Sequence, residues 1–387
     1  MGTQPTWLPM VYAHDVLEGS AYDVGRLQGE RLKQSPALAQ FFAAPPPGGS
    51  PLTPRQAETA LRFFDRHCPG LNEEIRGCAE ALGAPPEQLV YYAFTYQSDG
   101  QCSHLAVLPP ASPEGHVRVA RSYEFHPGQS DLRLATTRVA GHYAHMGFSE
   151  ILFGRDDGLN ERGLCVTMSA GAPRASTEPG GCMFWALVRT VLDRCATVDE
   201  ALEVVQSIPV SFNLNLLLAD RTGQAALVEI ACSHRAVKRI GPETSDQYLI
   251  ATNHYTLPTM QAWDTGRMWN SVARYQAVER RLRAAWPAVT PEVLRSLLSA
   301  PYPTGVCCHY YSDYLGTLWS EVFDVTAGTV EVCFGAPDSA PSGAPLAGLW
   351  RTFDLHSPAG FADYPVQLPD TPADPALWRK LNPGAQQ

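Results

Sequence analysis

An α+β fold, with helix layers covering antiparallel sheets, is predicted by three features of the sequence. Residues 20–97 read as helical. Beyond Gly100 the pattern switches to short β-branched or aromatic runs bounded by Gly, Asp, Pro or Asn. Helices return only in two pairs, so strands follow strands in hairpins instead of alternating with helices one by one.

Residues 21–34 carry apolar and small side chains at helical spacing, and the APPPGGS run at 44–50 rules out any continuation. Thr53-Pro54 opens the next helix with a capping hydroxyl and a proline at the first helical position, and Pro69-Gly70 ends it. Residues 71–82 form a third helix stopped by Gly83. Pro86-Glu87-Gln88 starts a fourth that runs towards Tyr96. Strands are expected at 116–125, 132–139, 164–169, 214–219, 225–231, 248–253, 318–325 and 330–334. Asp220-Arg221-Thr222-Gly223 and Thr326-Ala327-Gly328 supply two hairpin turns. The paired helices fall at 183–195 with 198–208, and at 271–285 with 291–299. No internal repeat occurs, and the last thirty residues, rich in Pro and Ala, read as a loosely attached tail.

The chain has 387 residues, enough for two domains or one large one. Hydrophobic residues make up 45% and charged residues 18%, the profile of a packed protein. A net charge of −10 argues against nucleic acid or an anionic membrane surface as partner, since both require basic patches. No apolar run reaches the roughly 18 residues of a membrane span, and the first twenty residues lack the pattern of a secretory signal. Ten scattered cysteines show no metal-ligand spacing, and nine of them read as reduced core thiols, which makes the cytoplasm the expected compartment.

Cys102 lies in Ser98-Asp99-Gly100-Gln101-Cys102-Ser103-His104, a small polar stretch where the helical part meets the strand-rich part. A cut before it would create an N-terminal cysteine with its own general base, an α-amine of pKa about 7.7–8. Acyl transfer by a thiolate also needs fixed donors for the oxyanion, each worth roughly 3–4 kcal/mol. Asn253, at the end of a buried strand, is the candidate donor; the alternative is an amide that only satisfies backbone. Arg121 and Glu124 are candidates to orient the amine, with the arginine lowering the thiol pKa. They lie three apart in a strand, so they face opposite sides unless a bulge or bend intervenes, and a surface pairing of one of them stays open. Asn160, in the turn before residue 164, reads as a cap. Cys307-Cys308-His309 has adjacent cysteines and no second CxxC or HxxxH nearby, so no metal site is expected. Tyr302, Tyr310, Tyr311 and Tyr314 suit a pocket or core. No Walker loop, dinucleotide glycine pattern or GxSxG elbow occurs.

Taken in order, the motifs resemble the acyl-coenzyme A:6-aminopenicillanic acid acyltransferase family, the C45-type cysteine N-terminal nucleophile hydrolases, distantly related to choloylglycine hydrolases. The supporting stretches are residues 19–29 (GSAYDVGRLQG), Gln101-Cys102-Ser103, residues 120–126 (ARSYEFH), residues 158–164 (GLNERGL), Thr252-Asn253-His254, residues 270–274 (NSVAR) and residues 317–337. The resemblance implies a four-layer αββα sandwich and self-cleavage between Gln101 and Cys102. The products would be an α chain, 1–101, and a β chain, 102–387, that together form one domain. It implies an autoproteolytically activated cysteine amidohydrolase or acyltransferase acting on linear amides. It also implies a structural or substrate-facing role for Arg274. Neither a metal nor a redox cofactor is required, and coenzyme A thioesters are acyl donors by family analogy. His254, Trp263 and Tyr310 are the further substrate-facing candidates, and the aromatic residues favour an apolar or aromatic acyl group. A non-catalytic sandwich binding acyl ligands or a protein partner is the alternative. Two departures stand out: Glu124 replaces the family's usual Asp, and Thr167-Met168-Ser169-Ala170 lacks the second asparagine of the choloylglycine branch.

Overall fold

The computed structural model describes residues 5–35, 52–95, 101–171, 181–264, 269–338, 348–356 and 360–372. Ten strands form the first sheet. From one edge these are β11 (His234–Ile240), β10 (Ala225–Ala231), β9 (Leu214–Asp220), β8 (Leu164–Ala170), β7 (Asp157–Asn160) and β5 (His145–Glu150). The order continues with β4 (Arg133–Val139), β1 (Thr6–Gly19) and β17 (Phe361–Asp370), while β6 (Gly154–Arg155) hangs on β5. The second sheet has seven: β12 (Tyr248–Ala251), β2 (Gln101–Val107), β3 (Arg118–Phe125), β14 (Leu315–Asp324), β15 (Thr329–Phe334) and β16 (Trp350–Asp354), with β13 (His309–Tyr310) on β14.

Alternating side chains make the two sheets into a sandwich. Odd-numbered partners such as Val119, Tyr123, Trp319 and Phe323 meet Leu134, Phe148, Leu217 and Leu227 from the other sheet in one core. Trp319 is held between Tyr123 and Phe148 in near-parallel stacks, with ring centroids 4.1 Å away on each side. The outer face of the first sheet is covered by α1 (Ala21–Lys33), α2 (Pro54–His67), α3 (Leu71–Leu82), α4 (Pro86–Thr95), α5 (Phe184–Arg194) and α6 (Val198–Ser207). Over the second sheet lie α7 (Trp269–Ala285) and α8 (Pro291–Leu298), burying Val278, Leu282 and Leu294 against Leu105, Ala120 and Val322. This is the αββα sandwich that the resemblance implies.

Local chemistry accounts for the helix starts. Thr53 caps α2 in a reciprocal box with Gln56, and Pro54 occupies the first turn. Gly25 lets α1 meet α3 at backbone distance, since a Cβ there would stand 1.8 Å from the Glu74 carbonyl oxygen.

Four expectations change. Residues 1–101 are not wholly helical: Thr6–Gly19 is a strand inserted between β4 and β17. The tail is not loose over residues 361–370, which pair with β1 along ten residues from Thr6↔Asp370 to Asp15↔Phe361. The β1/β4 ladder is parallel, against the antiparallel expectation. Cys102 sits inside a strand, β2, not in a polar connector. The partners of β1 and one of the two partners of β2, β12, come from distant parts of the chain, so no local pattern announces those pairings.

Candidate active site

Strand parity sets the site. Cys102 and Ala106 of β2 point between the sheets, while Leu105 and Val107 point to α7 and α8. His104, on the side of Cys102, bridges to the opposite sheet: Nδ1 is 2.7 Å from Thr167 Oγ1 and Nε2 is 3.2 Å from Ser169 Oγ. Burial holds this imidazole well below its ordinary pKa, so it crosses the gap neutral. The stretch that lacks a second asparagine therefore supports β2 through its hydroxyls.

Residue 102 is gripped by its backbone. Its N–H donates to Asn253 Oδ1 at 3.1 Å, and its carbonyl accepts from Arg274 Nη1. Arg274 also donates to Asn253 Oδ1 at 2.6 Å, to Ser103 Oγ at 3.0 Å and to Asn270 Oδ1 at 3.2 Å. Two donors converging on Oδ1 fix the orientation of the Asn253 amide, whose Nδ2 donates to the Ala170 carbonyl at 3.0 Å. Asn270 in turn donates to Gln101 Oε1, so the residue before Cys102 is held from α7 as well. Asn270 and Arg274 are one helical turn apart, the i, i+4 spacing that sets both on one face of α7; the NSVAR motif contains both, but only Arg274 is among the expected site residues.

The thiol faces Arg121, whose Nη2 lies 3.8 Å from Cys102 Sγ. This guanidinium is fully buried and ion-pairs through Nε with Asp157 Oδ2 at 2.9 Å. Its Nη1 donates to the Asp156 carbonyl at 3.1 Å. Glu150, Asp156 and Glu321 complete a buried acidic group around it, with burial pushing the Asp156 carboxyl up to about 8. The Asp156-Asp157 pair just ahead of Gly158 had given no indication of this role. Arginine was expected to lower the thiol pKa. Burial outweighs it and pushes Cys102 up to about 12, opposed by Arg121 and assisted by Glu124 and Asp156. This thiol, 1% exposed, is therefore protonated at neutral pH.

Glu124 lies on the other side of the sheet, as parity requires. Its bonded oxygen accepts from Ser122 and, at 3.2 Å, from Thr317, while Oε2 is buried without a hydrogen-bond partner among the described residues. Burial pushes the carboxyl up to about 7, opposed chiefly by Arg274. A register shift does occur here, but in β14 between Thr317 and Trp319, so it does not turn Glu124 towards the thiol.

The remaining candidates separate. His254 braces the site from behind: its Nδ1 is 2.7 Å from Ser271 Oγ, which accepts the Asn253 N–H at 2.7 Å. Tyr310 packs in a cluster with Tyr302, Cys308, Leu315 and Ala273. Trp263 stacks on His234 of the edge strand β11, 3.8 Å between centroids and 37% exposed, away from this hydrogen-bonded group. A cavity of about 370 Å³ opens elsewhere, beside Val11, Asp15, Arg31, Arg133 and Asp363. Asn160 accepts from Arg162 and Leu164 backbone N–H groups, the capping role expected of it. All ten cysteines are buried and none forms a disulfide, and no helix among the described residues is long and apolar enough to cross a membrane.

Residues 112–339 match the family described as acyl-coenzyme A:6-aminopenicillanic acid acyl-transferase. The match takes in Arg121, Glu124, Asn253 and Arg274 and begins downstream of Cys102. Similar solved structures include penicillin V acylase from Agrobacterium tumefaciens, 20% identical over 60% of this chain and 83% of that one, with a TM-score of 0.42. A Caenorhabditis elegans N-acylethanolamine-hydrolyzing acid amidase ortholog is 14% identical over 58% of this chain and 93% of its own, TM-score 0.43. A mutant conjugated bile acid hydrolase from Clostridium perfringens is 12% identical over 70% and 98%, TM-score 0.45. No curated protein matches the chain significantly.

Proposed function

We propose, from the premise that the chain belongs to the acyl-coenzyme A:6-aminopenicillanic acid acyl-transferase family, that it is a self-cleaving amidohydrolase or acyltransferase whose nucleophile is Cys102. The observation that carries this reading is the grip on residue 102. The nitrogen that would become an α-amine already rests 3.1 Å from Asn253 Oδ1, with Arg274 on the adjoining carbonyl.

In maturation the Cys102 sulfur attacks the Gln101 carbonyl carbon. The S–C bond forms, the C–N bond breaks, and the nitrogen leaves protonated as the new terminal amine. Water then hydrolyses the thioester, giving the Gln101 carboxylate and the free thiol. The strand β1 keeps the α chain in place after the cut, because it is paired on both sides within the first sheet.

In turnover the α-amine, held by Asn253 Oδ1, takes the thiol proton, which the buried thiol of the intact chain has no amine to receive. Arg121 stabilises the thiolate from 3.8 Å. The thiolate attacks a linear amide or acyl carbonyl, and Asn253 Nδ2 donates to the oxyanion. Water completes hydrolysis, or an amine acceptor completes transfer; a coenzyme A thioester is the activated donor for the second course. The absence of a disulfide among the ten cysteines supports cytoplasmic residence as part of this reading.

Denaturing mass spectrometry of the purified protein tests the proposal. Fragments ending at Gln101 and beginning at Cys102 support it, whereas an intact chain whose thiols ignore acylating agents removes it.

A further inference from the structure

The fold brings Asp338 to Cys307 and His309, which lie two residues apart in the sequence. Cys307 precedes β13, His309 lies on β13, and Asp338 follows β15. Cys307 Sγ donates to Asp338 Oδ1 at 3.0 Å, and His309 Nε2 stands 2.8 Å from the same oxygen. One ligand atom from each residue falls within 4.8 Å of the other two. The thiol is buried, the imidazole and carboxylate are partly exposed, and an entry path from solvent therefore exists.

We propose that Cys307, His309 and Asp338 form a binding site for one Zn²⁺, distinct from the catalytic centre. A thiolate, an imidazole and a carboxylate make a borderline donor set that suits zinc over magnesium or calcium. Tetrahedral zinc at its usual bond lengths sets neighbouring ligand atoms about 3.3–3.7 Å apart. The Sγ–Oδ1 and Nε2–Oδ1 distances, 3.0 and 2.8 Å, are shorter, so binding lengthens these two by about half an ångström while replacing the thiol proton, which leaves to solvent. The thiol and the imidazole both address the carboxylate and not each other, an arrangement suited to a cation at their convergence. Proton transfer from sulfur to nitrogen would require the opposite. Water or another ligand takes the fourth position, and with Nε2 on the metal the ring proton resides on Nδ1.

The site adjoins the catalytic region. The backbone N–H of Cys308 donates to Thr317 Oγ1 at 2.9 Å, and that hydroxyl donates to Glu124 at 3.2 Å. A metal here ties residues 307–309 to residue 338 directly behind that chain of bonds.

The test uses the full-length protein, stripped with a chelator and titrated with Zn²⁺ against a chromophoric competitor, and separately with Co²⁺. One equivalent of Zn²⁺ is expected to bind, and the Co²⁺ form should show a thiolate charge-transfer band in the near ultraviolet with tetrahedral visible bands. Cys307→Ser should abolish that band, Asp338→Asn and His309→Gln should each weaken Zn²⁺ at least tenfold, and Cys102→Ala should retain full binding. Absence of stoichiometric uptake, or a charge-transfer band surviving in Cys307→Ser, overturns the proposal. Should Cys307→Ser fail to fold, the two partly exposed positions decide: unchanged affinity in both His309→Gln and Asp338→Asn overturns it.

Discussion

Arg274 donates to the amide oxygen of Asn253 at 2.6 Å, and this bond decides which end of that amide faces residue 102. The oxygen is turned to the Cys102 nitrogen and the NH₂ end to Ala170. One side chain thereby offers an acceptor to the Cys102 nitrogen and, through the NH₂ end bonded at Ala170, the donor proposed for the oxyanion.

Cys102→Ala should yield a single uncut chain with no turnover, read by denaturing mass spectrometry. The native enzyme should show two fragments that still migrate together on a native gel, because β1 is hydrogen-bonded along both edges. Cleavage persisting in the alanine variant assigns processing to something other than this thiol.

Asn253→Asp preserves the acceptor for Cys102 and Arg274 but removes the N–H donor. Folding should be retained, and kcat should drop by about 10²–10³, the range for loss of one oxyanion donor. Activity within a few-fold of the parent would take Asn253 out of that role.

Arg274→Ala, made in the uncut Cys102→Ala background, strips donors from the Cys102 carbonyl, Ser103 and Asn270 at one buried point. Urea unfolding should register a loss of about 3–5 kcal/mol, as for breaking a buried charge-assisted network. A loss under about 1 kcal/mol contradicts the bracing role.

Glu124 supplies a pH dependence. Its folded carboxyl is raised by burial to about 7 from an ordinary value of 4.5. The folded state therefore binds more protons between those two values, and stability falls as pH rises through that window. The contribution is fully present below about 4.5 and lost above 7. Glu124→Gln keeps an acceptor for Ser122 and Thr317 and cannot ionise. Its stability relative to the parent should therefore climb between pH 5 and 8, by on the order of 2–3 kcal/mol. Parallel stability curves for the two proteins across that range contradict the assignment.

Trp319→Ala removes the ring stacked at 4.1 Å between Tyr123 and Phe148, where the two sheets meet. A destabilisation of about 3–5 kcal/mol is expected from chemical denaturation. A change below about 1 kcal/mol means the sheets do not depend on this contact.

Much of this was legible residue by residue. Thr53, Pro54 and Gly83 carry their own stereochemistry, and they mark where helices begin and end. The parity of β3 foretold that Arg121 and Glu124 cannot share a face, and they do not. Trp263 illustrates the converse: an aromatic in a loop gives no indication of which surface it will meet, and it meets His234.

The chain's own periodicities and turn residues determined its class and most of its helices and strands, and its polar residues at strand ends and junctions singled out Cys102, Arg121, Glu124 and Asn253 as candidates, of which the fold gathers all but Glu124 on the thiol's side. Tertiary structure alone decided that β1 joins β17 across almost the whole length of the chain, and that Cys102 lies in a strand. It likewise decided that the Asn253 oxygen meets the Cys102 nitrogen and that Asp338 reaches Cys307 and His309. The reason is physical. Caps and turns are satisfied within a few residues, whereas strand partners, the orientation of a buried amide and the balance of burial against charge at a thiol depend on atoms brought close only by folding.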